Sequence, residues 1–298
     1  MGIKRNKLII ILGPTASGKT DLSIKMAKKF GGEIVSADSR QIYKKMDIGT
    51  SKIKKEEMKD IPHYLLNIIE PDKKFSAADY QKKAIKRIKE IQKKAKVPFL
   101  VGGSPFYIFS VVEGWIFPKI KKDPEIRKRL EKRSKEELYQ MLGEIDRQRA
   151  ENIDKNNKRR LIRALEIAEQ LGKVPKLKKK PQFNSLLIGL KISKKELRKR
   201  IEKRIEKMFK EGLEKEVRKL IKKNIEVKTI GYQEFIPYFK GKITKEELKE
   251  KIAINTFQFA KRQMTWFKRY KNINWIENRR EAENFIKEFL NKKESSLR

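Results

Sequence analysis

The sequence contains no cysteine and a single histidine, His63. The absence of cysteine excludes disulfide bonds, cysteine-based zinc sites and thiol catalysis. Because His63 has no second histidine or cysteine to join it on a metal, we expect a structural role for it. No apolar run approaches the roughly 20 residues that cross a bilayer, and the one near the start is too short for a signal-peptide core. We therefore expect a cytoplasmic protein that does not engage a membrane.

Acidic residues are few relative to basic ones. The chain has 77 Lys and Arg against 39 Asp and Glu, which gives a formal net charge of +38. Such an excess indicates a polyanionic partner, most simply nucleic acid. The alternative is compositional drift towards lysine. With 298 residues the chain can bury a full core, and one large domain with a smaller one is the natural division.

A phosphate-binding motif lies near the start, in the run LIIILGPTASGKT at residues 8–20. It has the P-loop form G-x-x-x-x-G-K-T, between a short apolar strand and a helical pattern, and the alternative is a chance match. Its glycines let successive backbone N–H groups point at one anion, Lys19 supplies charge and the Thr20 hydroxyl is placed to hold Mg²⁺. We predict a di- or triphosphate site of the kind found in nucleotide-binding and ATP-binding proteins. Its residues are Gly13, Pro14, Thr15, Ala16, Ser17, Gly18, Lys19 and Thr20.

The apolar pattern predicts an α/β fold, with a P-loop NTPase-like parallel sheet core flanked by helices. The predicted strands are residues 8–12, 33–37, 97–101 and 186–190. Residues 119–184 have a helical, very basic pattern without a strand signal, so we predict an all-helical insertion domain there and a core domain of residues 1–118 and 185–298. After the insertion we predict one long helix whose apolar side runs from Leu197 to Leu220.

Two of the predicted strands end in residues that suit a ligand crevice. Asp38 follows the second strand, and ligands of parallel sheets bind at that edge, although Asp38 could instead cap a turn. Gly102, Gly103 and Ser104 follow the third strand, where a P-loop hydrolase would carry an Asp for Mg²⁺. Glycine there lets another backbone or a ligand approach closely, and it argues against a motor or switch NTPase.

Two basic clusters are candidates for RNA contacts. Arg159, Arg160 and Arg163 open a helix in the insertion, and arginine suits phosphate better than lysine does. Near the end, basic and aromatic residues interleave on one helix, where Lys261 and Arg262 are candidates for contacts with a nucleic-acid backbone. The alternative for both clusters is a solvated helix face.

Several motifs occur together in a fixed order. They are GPTASGKT, Asp38-Ser39-x-Gln41-x-Tyr43, Met46-Asp47-Ile48-Gly49-Thr50, Gly102-Gly103-Ser104, Arg160-x-x-Arg163-Ala164-Leu165-Glu166, Ile230-Gly231-Tyr232 and Ala260-Lys261-Arg262-Gln263-x-Thr265-Trp266-Phe267. In this combination, which spans nearly the whole chain, the sequence resembles the bacterial tRNA dimethylallyltransferase (tRNA isopentenyltransferase) family.

The resemblance implies a prenyltransferase that acts with Mg²⁺. It would move a dimethylallyl group from dimethylallyl diphosphate to the exocyclic N6 amine of the adenine just 3′ of the anticodon, giving N6-dimethylallyladenosine and diphosphate. The P-loop would hold the diphosphate leaving group, Thr20 would assist with Mg²⁺, and Asp38 would accept the amine proton. The partners would be the anticodon stem-loop of tRNA, with its adenine flipped out, and dimethylallyl diphosphate, bound by a monomer.

The resemblance also implies a set of tRNA-binding residues. They are Asp38, Ser39, Arg40, Gln41, Ser104, Arg127, Arg159, Arg160, Leu161, Ile162, Arg163, Lys261, Arg262 and Gln263. The sequence departs from the family at four places. Ser104 stands where the family usually has Thr, and Pro105-Phe106 stands where it has a pair such as Gly-Leu. Asn157 stands where Asp is common, and Phe257 stands where Arg is common. Lys228 falls near a position that is usually basic.

Three other functions compete with this interpretation. A P-loop kinase of a small molecule would need neither the +38 charge nor the basic, aromatic helix. Prenyl transfer to a free adenine nucleotide would not need the basic insertion. A basic RNA-binding protein with a vestigial P-loop would not need an intact Lys19, Thr20 and Asp38.

Overall fold

A computed structural model describes residues 6–120, 123–223, 225 and 228–292 of the chain. The strands are β1 Lys7–Leu12, β2 Gly32–Ser36, β3 His63–Tyr64, β4 Val97–Gly102, β5 Trp115–Ile116, β6 Lys178–Lys179, β7 Asn184–Leu190 and β8 Ile273–Ile276. The α-helices are α1 Lys19–Phe30, α2 Ala77–Lys93, α3 Pro105–Val112, α4 Pro124–Glu131, α5 Lys135–Ile145, α6 Arg147–Glu151, α7 Lys158–Leu171, α8 Lys194–Lys210, α9 Leu213–Ile221, α10 Phe235–Phe239, α11 Lys245–Phe267 and α12 Arg279–Asn291. No helix within these ranges is long and apolar enough to cross a membrane.

Six strands form one sheet in the order β3-β2-β4-β1-β7-β8, and every neighbouring pair is parallel. β1 lies inside the sheet, with Ile9 opposite Phe99 of β4 and Leu186 of β7. Its residues are buried on both faces, because helices cover a parallel sheet on both sides, and this explains the unbroken apolar run. The predicted fold class is confirmed, and the order brings the carboxyl ends of β1, β2 and β4 to one edge.

Two strands of this sheet escape prediction. β3 has 2 residues and β8 has 4, and they form the two edges of the sheet. Neither is long enough to show a clear alternation of apolar and polar residues. Their pairing with β2 and β7 is a tertiary effect that the local sequence does not encode.

The predicted single helix from Leu197 to Leu220 is wrong. α8 ends at Lys210 and α9 begins at Leu213, because Gly212 adopts a φ of 98°, a left-handed conformation that glycine adopts without steric cost. The apolar residues predicted to share one side of this helix are nevertheless buried, in both α8 and α9. They pack with α11 in a hydrophobic cluster that is separate from the cluster around the sheet.

The chain divides into two compact units, one of Met1–Gly114 with Pro181–Arg298 and one of Trp115–Lys180. The second unit begins and ends before the expected limits of residues 119 and 184. The reason is that β5 pairs with β6, with Trp115 opposite Lys179, and this pairing closes the unit. The expectation that this segment has no strand is therefore wrong. A pair of two-residue strands distant in sequence leaves no periodic signal.

The second unit has its own hydrophobic core, built by α4, α5, α6 and α7. Its helices begin at side-chain caps that the sequence indicates. Ser134 and Glu137 form a reciprocal capping box at α5, and the Asn157 side chain accepts a hydrogen bond from the Arg160 backbone at the start of α7. Asparagine at the place of the family's common aspartate thus retains the cap.

Candidate active site

The P-loop joins β1 to α1 at the carboxyl edge of the sheet. Gly13 and Gly18 have φ of 155° and 94°, and Ala16 is held at 62°, a left-handed conformation that non-glycine residues seldom adopt. Such strain collects at ligand-binding loops. The Ser17 Oγ atom is buried and finds no hydrogen-bond partner among the described residues. A curled loop with an unsatisfied hydroxyl at a helix N-terminus suits an anion.

Lys19 folds back over this loop. Its Nζ donates a hydrogen bond of 2.6 Å to the Pro14 carbonyl oxygen. The pKa of Lys19 is lowered to about 7, chiefly by burial and then by the nearby Arg204, while Asp38 acts in the opposite direction. The lysine charge is therefore only partly present at neutral pH, and an anion in the loop would restore it.

Two arginines from α8 reach the same loop. Arg204 donates from Nη1 to the Thr15 hydroxyl at 3.0 Å, and Arg200 donates from Nη1 to the Ser17 carbonyl at 3.2 Å. Burial lowers the pKa of Arg204 while Asp38 raises it. The sequence analysis misses both residues, since nothing local distinguishes them from the many other cations of α8.

Asp38 lies just beyond β2. It caps a turn, and it also lines the cavity described below. Its Oδ1 accepts hydrogen bonds from the backbone N–H groups of Arg40, at 2.8 Å, and Gln41, at 3.4 Å. The carboxylate also raises the pKa of Lys19 and of Arg204, so it belongs to their charge cluster. Because both hydrogen bonds use Oδ1, Oδ2 is the oxygen available to receive a proton.

Ser104 ties the loop after β4 to the loop after β2. Its Oγ accepts a hydrogen bond from the Ser39 backbone at 2.9 Å and lies 3.2 Å from the Ser39 Oγ. A Cβ atom on Gly102 would lie 2.1 Å from the Ala37 oxygen, so glycine is needed there for the approach of a backbone.

Gln263, predicted to contact tRNA, is buried instead. Its Nε2 donates to the Gly103 carbonyl at 2.6 Å, and its Oε1 accepts from the Thr15 backbone at 2.9 Å. The side chain therefore joins α11 to the P-loop, at the wall of the cavity described below. The adjacent Lys261 and Arg262 are exposed, and Arg262 lines the cavity described below.

A carboxylate on α9 holds the loop of residues 46–51. The two oxygens of Glu216 accept hydrogen bonds from the backbone N–H groups of Asp47, Ile48 and Gly49, at 2.9, 2.9 and 3.0 Å, and from the Tyr232 hydroxyl at 2.7 Å. Successive N–H groups of this kind form an anion-binding nest, here filled by the protein itself.

Gln41 holds the other side of that loop. Its Nε2 donates to the carbonyl oxygens of Thr50 and Ser51, both at 3.2 Å. The side chain of Gln41, which is predicted to contact tRNA, thus fixes a loop that lines the cavity. Arg40 is exposed and Ser39 is half-buried beside it.

These elements enclose a cavity of about 650 Å³ in the first unit. The P-loop, Asp38 and Arg204 form one part of its wall, and Lys228 and His63 also line it. Apolar side chains of α8 and α11 form another part. They are Ile201, Ile205, Met208, Ile252 and Phe259. A cavity with a cationic, phosphate-binding part and an apolar part suits a ligand that joins a phosphate group to a hydrocarbon.

The predicted RNA contacts of the second unit fall into two groups. Arg127 and Arg163 lie 2.7 and 3.4 Å from the buried Glu166 carboxylate, and Arg159 and Arg160 are exposed. Leu161 and Ile162 are 0% and 6% exposed and pack in the core of this unit. Their side chains lie on the inner face of α7, so a contact of these two residues with RNA would have to be made by the backbone.

The parallel sheet, the P-loop after its inner strand and the adjoining cavity define a P-loop α/β protein with a phosphate-binding site. The chain belongs to the IPP transferase family, whose sequence profile matches residues 41–270.

Individual relatives agree with this assignment. The chain is 44% identical over 290 residues to a tRNA dimethylallyltransferase of Carboxydothermus hydrogenoformans, covering 93% of each chain. It is 42% identical over 289 residues to one of Staphylococcus epidermidis, covering 92% of this chain and 87% of the relative.

Solved structures of the family are also similar. A tRNA isopentenylpyrophosphate transferase of Bacillus halodurans superimposes with a TM-score of 0.74 at 38% identity, covering 96% of this chain and 97% of the other. A eukaryotic dimethylallyltransferase solved acting on tRNA gives a TM-score of 0.81 at 28% identity, covering 91% and 74%.

Proposed function

We propose that this protein transfers a dimethylallyl group from dimethylallyl diphosphate to the N6 amine of the adenine just 3′ of the anticodon in tRNA. The observation that carries the proposal is the single cavity in which the P-loop, Asp38 and an apolar wall meet. The family membership established above supports it.

The diphosphate group would lie in the P-loop. The backbone N–H groups of the loop and the cations Lys19 and Arg204 surround this position, and Lys19 would exchange its bond to the Pro14 carbonyl for one to a phosphate oxygen. These charges stabilise the diphosphate that forms as the C1–O bond breaks. The dimethylallyl group would rest against Ile201, Ile205 and Met208 of the apolar wall.

The adenine would enter from the side of Asp38. As the N6 nitrogen bonds to C1 of the allyl group, the electron pair of the C1–O bond leaves with diphosphate, and an N6 proton passes to the Asp38 carboxylate. An aromatic amine is a weak nucleophile, so a positioned base aids its attack.

Mg²⁺ fits this site as an ion carried by the diphosphate. The described residues contain no group of three or more acidic, histidine or cysteine side chains arranged around a metal, but Mg²⁺ in phosphate sites takes most of its ligands from phosphate and water. Thr20 lines the cavity and is the residue that would hold it. When bound, the ion would neutralise charge on the leaving group.

The tRNA would be held by cations on both units. Arg159 and Arg160 on the second unit, and Lys261 and Arg262 on the first, are exposed and suit phosphate contacts. The target adenine is stacked in the anticodon loop and must be flipped out to reach the cavity.

A labelled-substrate experiment tests the proposal against its alternatives. The full chain is incubated with radiolabelled dimethylallyl diphosphate and Mg²⁺, and with tRNA, ATP or AMP in separate reactions. We expect label in tRNA alone, located by nuclease digestion at the adenine 3′ of the anticodon. Label in AMP or ATP would instead support transfer to a free nucleotide. No transfer to any acceptor would reject the proposal.

A further inference from the structure

Two aromatic rings and a guanidinium group lie together beside the cavity, and we call them the aromatic patch. Phe106 begins α3 and Trp266 lies in the last turn of α11, with ring centroids 4.8 Å apart and planes at 58°. The Arg269 guanidinium lies 4.6 Å from the Trp266 ring centroid. Phe106 is 47% exposed although it is a large apolar side chain. An exposed ring beside a second aromatic ring offers a surface on which a base can stack.

The aromatic patch adjoins the place where we expect the target adenine. On α11, Phe259 and Arg262 line the cavity, and Trp266 follows them at helical spacing on the same face. On the other side, Gly103 lines the cavity and Ser104 contacts the Ser39 loop just before Phe106. Phe106 and Trp266 therefore continue two walls of the cavity to the surface.

The surroundings of the aromatic patch match RNA in charge. Lys261, Arg262, Lys268 and Arg269 are all exposed in this part of α11 and the turn after it. Aromatic rings among cations are the arrangement on which unpaired bases stack while the cations follow the phosphates. A protein partner with an apolar surface would have to cover these charges without neutralising them.

We infer that the aromatic patch stacks an unpaired base next to the target adenine in the anticodon loop, with Phe106 as the exposed ring and Trp266 supporting it. This inference rests on the proposed function, since that function places the RNA loop at the cavity. A flipped adenine loses its own stacking partners, and its neighbours are left to stack on other groups. The patch would hold one of those neighbours and so keep the loop open.

Fluorescence of a modified RNA tests the inference. An anticodon stem-loop carries 2-aminopurine in place of the base on either side of the target adenine, one position per RNA. We expect binding to the full chain to quench the probe at one of the two positions. Phe106→Ala should remove most of that quenching and raise the Kd of the stem-loop roughly 5- to 150-fold, the range typical for loss of one stacked base.

Matched variants separate stacking from a loss of apolar surface or of folding. Ile254→Ala removes a side chain that is 52% exposed on the same α11, and it should leave quenching and Kd as in the wild type. Phe106→Trp retains a ring and should retain the quenching. Thermal unfolding of Phe106→Ala should match that of the wild type, since the ring is half in solvent.

The possible results distinguish this inference from the proposed function. If the wild type prenylates tRNA but Phe106→Ala binds and quenches as the wild type does, the stacking inference is overturned and the proposed function stands. If Phe106→Ala instead converts a dimer to a monomer in sedimentation and leaves RNA affinity unchanged, the patch is a contact between copies, and the inference is overturned as well. If the wild type transfers no label to tRNA, the proposed function fails whatever the quenching shows.

Discussion

Asp38 combines two roles in one carboxyl group. Oδ1 accepts the backbone N–H groups of Arg40 and Gln41, which fixes the turn after β2, and Oδ2 is available to the substrate. This division allows the proton-accepting role to be removed without loss of the turn. Asparagine keeps an oxygen for the backbone bonds, but it cannot take a proton.

We predict that Asp38→Asn lowers the rate of prenyl transfer by about 10²- to 10⁴-fold, the usual contribution of a positioned base. The Kd for tRNA should change little, because phosphate contacts supply most of that affinity. Single-turnover transfer and filter binding measure the two quantities. Asp72→Asn, at an exposed aspartate paired with Lys73, is the control. A transfer rate within a few-fold of the wild type would contradict the role of Asp38.

Lys19 should make diphosphate binding pH-dependent. Its pKa is about 7 in the free site, mainly because of burial, and a bound diphosphate would raise it by supplying opposite charge. Below pH 7 the lysine is already protonated. Above pH 7 binding must take up a proton, so affinity falls with pH until the pKa of the bound state is passed.

Calorimetry in buffers of different ionisation enthalpy should detect this proton. At pH 8 we expect the wild type to take up close to one proton per diphosphate through Lys19. The variants Lys19→Met, which carries no charge, and Lys19→Arg, which stays charged, should lack this uptake. Equal proton uptake in the wild type and Lys19→Met would show that the proton belongs to another group.

At the scale of the elements, the cavity depends on contacts between segments far apart in sequence. Glu216 on α9 fixes the loop after β2, and Gln263 on α11 joins the P-loop to the loop after β4. Gly49 and Thr50 of the fixed loop line the cavity. These side chains position the site without needing to touch the substrate.

We predict that Glu216→Gln disorders this loop. One oxygen of the carboxylate is replaced by an NH₂ group, which would face N–H donors and leave them unsatisfied. The cost is about 1–3 kcal/mol, which should lower the Tm by a few degrees. The KM for tRNA should rise more than the KM for dimethylallyl diphosphate, because the P-loop lies on the other side of the cavity.

Enzyme kinetics with both substrates and thermal unfolding test this prediction. Glu214→Gln is the matched control, because Glu214 lies on the same helix and forms an exposed ion pair with Arg218. It should leave both KM values and the Tm near those of the wild type. A Glu216→Gln variant with wild-type stability and kinetics would remove Glu216 from the positioning residues.

The features that the sequence predicts well are those that depend on residues close together along the chain. The P-loop motif and the four inner strands depend on residues a few positions apart, and the structure confirms them. Arg204 and Thr15 are 189 positions apart, and Gln263 and Thr15 are 248 apart. The sequence marks Arg204 only as one cation among many, and Gln263 only as a tRNA contact implied by the resemblance. Their places at the P-loop follow from how α8 and α11 pack, which local patterns do not encode.

At the scale of the whole molecule, the net charge of +38 provides a long-range attraction for RNA. The exposed arginines of the second unit belong to this field, and some also form ion pairs, such as Arg129 with Glu169. Arg159 and Arg160 lie at the start of α7 on the surface, where they suit direct phosphate contacts. Charge spread over the surface would steer the RNA, whereas only arginines in contact with phosphate would hold it.

Salt titration separates these two contributions. The logarithm of the tRNA binding constant should fall linearly with the logarithm of salt concentration, and each phosphate contact contributes about 0.7–0.9 to the slope. Arg159→Gln combined with Arg160→Gln should reduce the slope by up to about 2. Arg147→Gln, at an arginine whose side chain is 89% exposed and pairs with Glu151, should change it little. An equal reduction for each charge removed in the two variants would mean that the second unit attracts RNA only through its total charge. A flat response in the wild type would mean that the charge is not used for RNA at all.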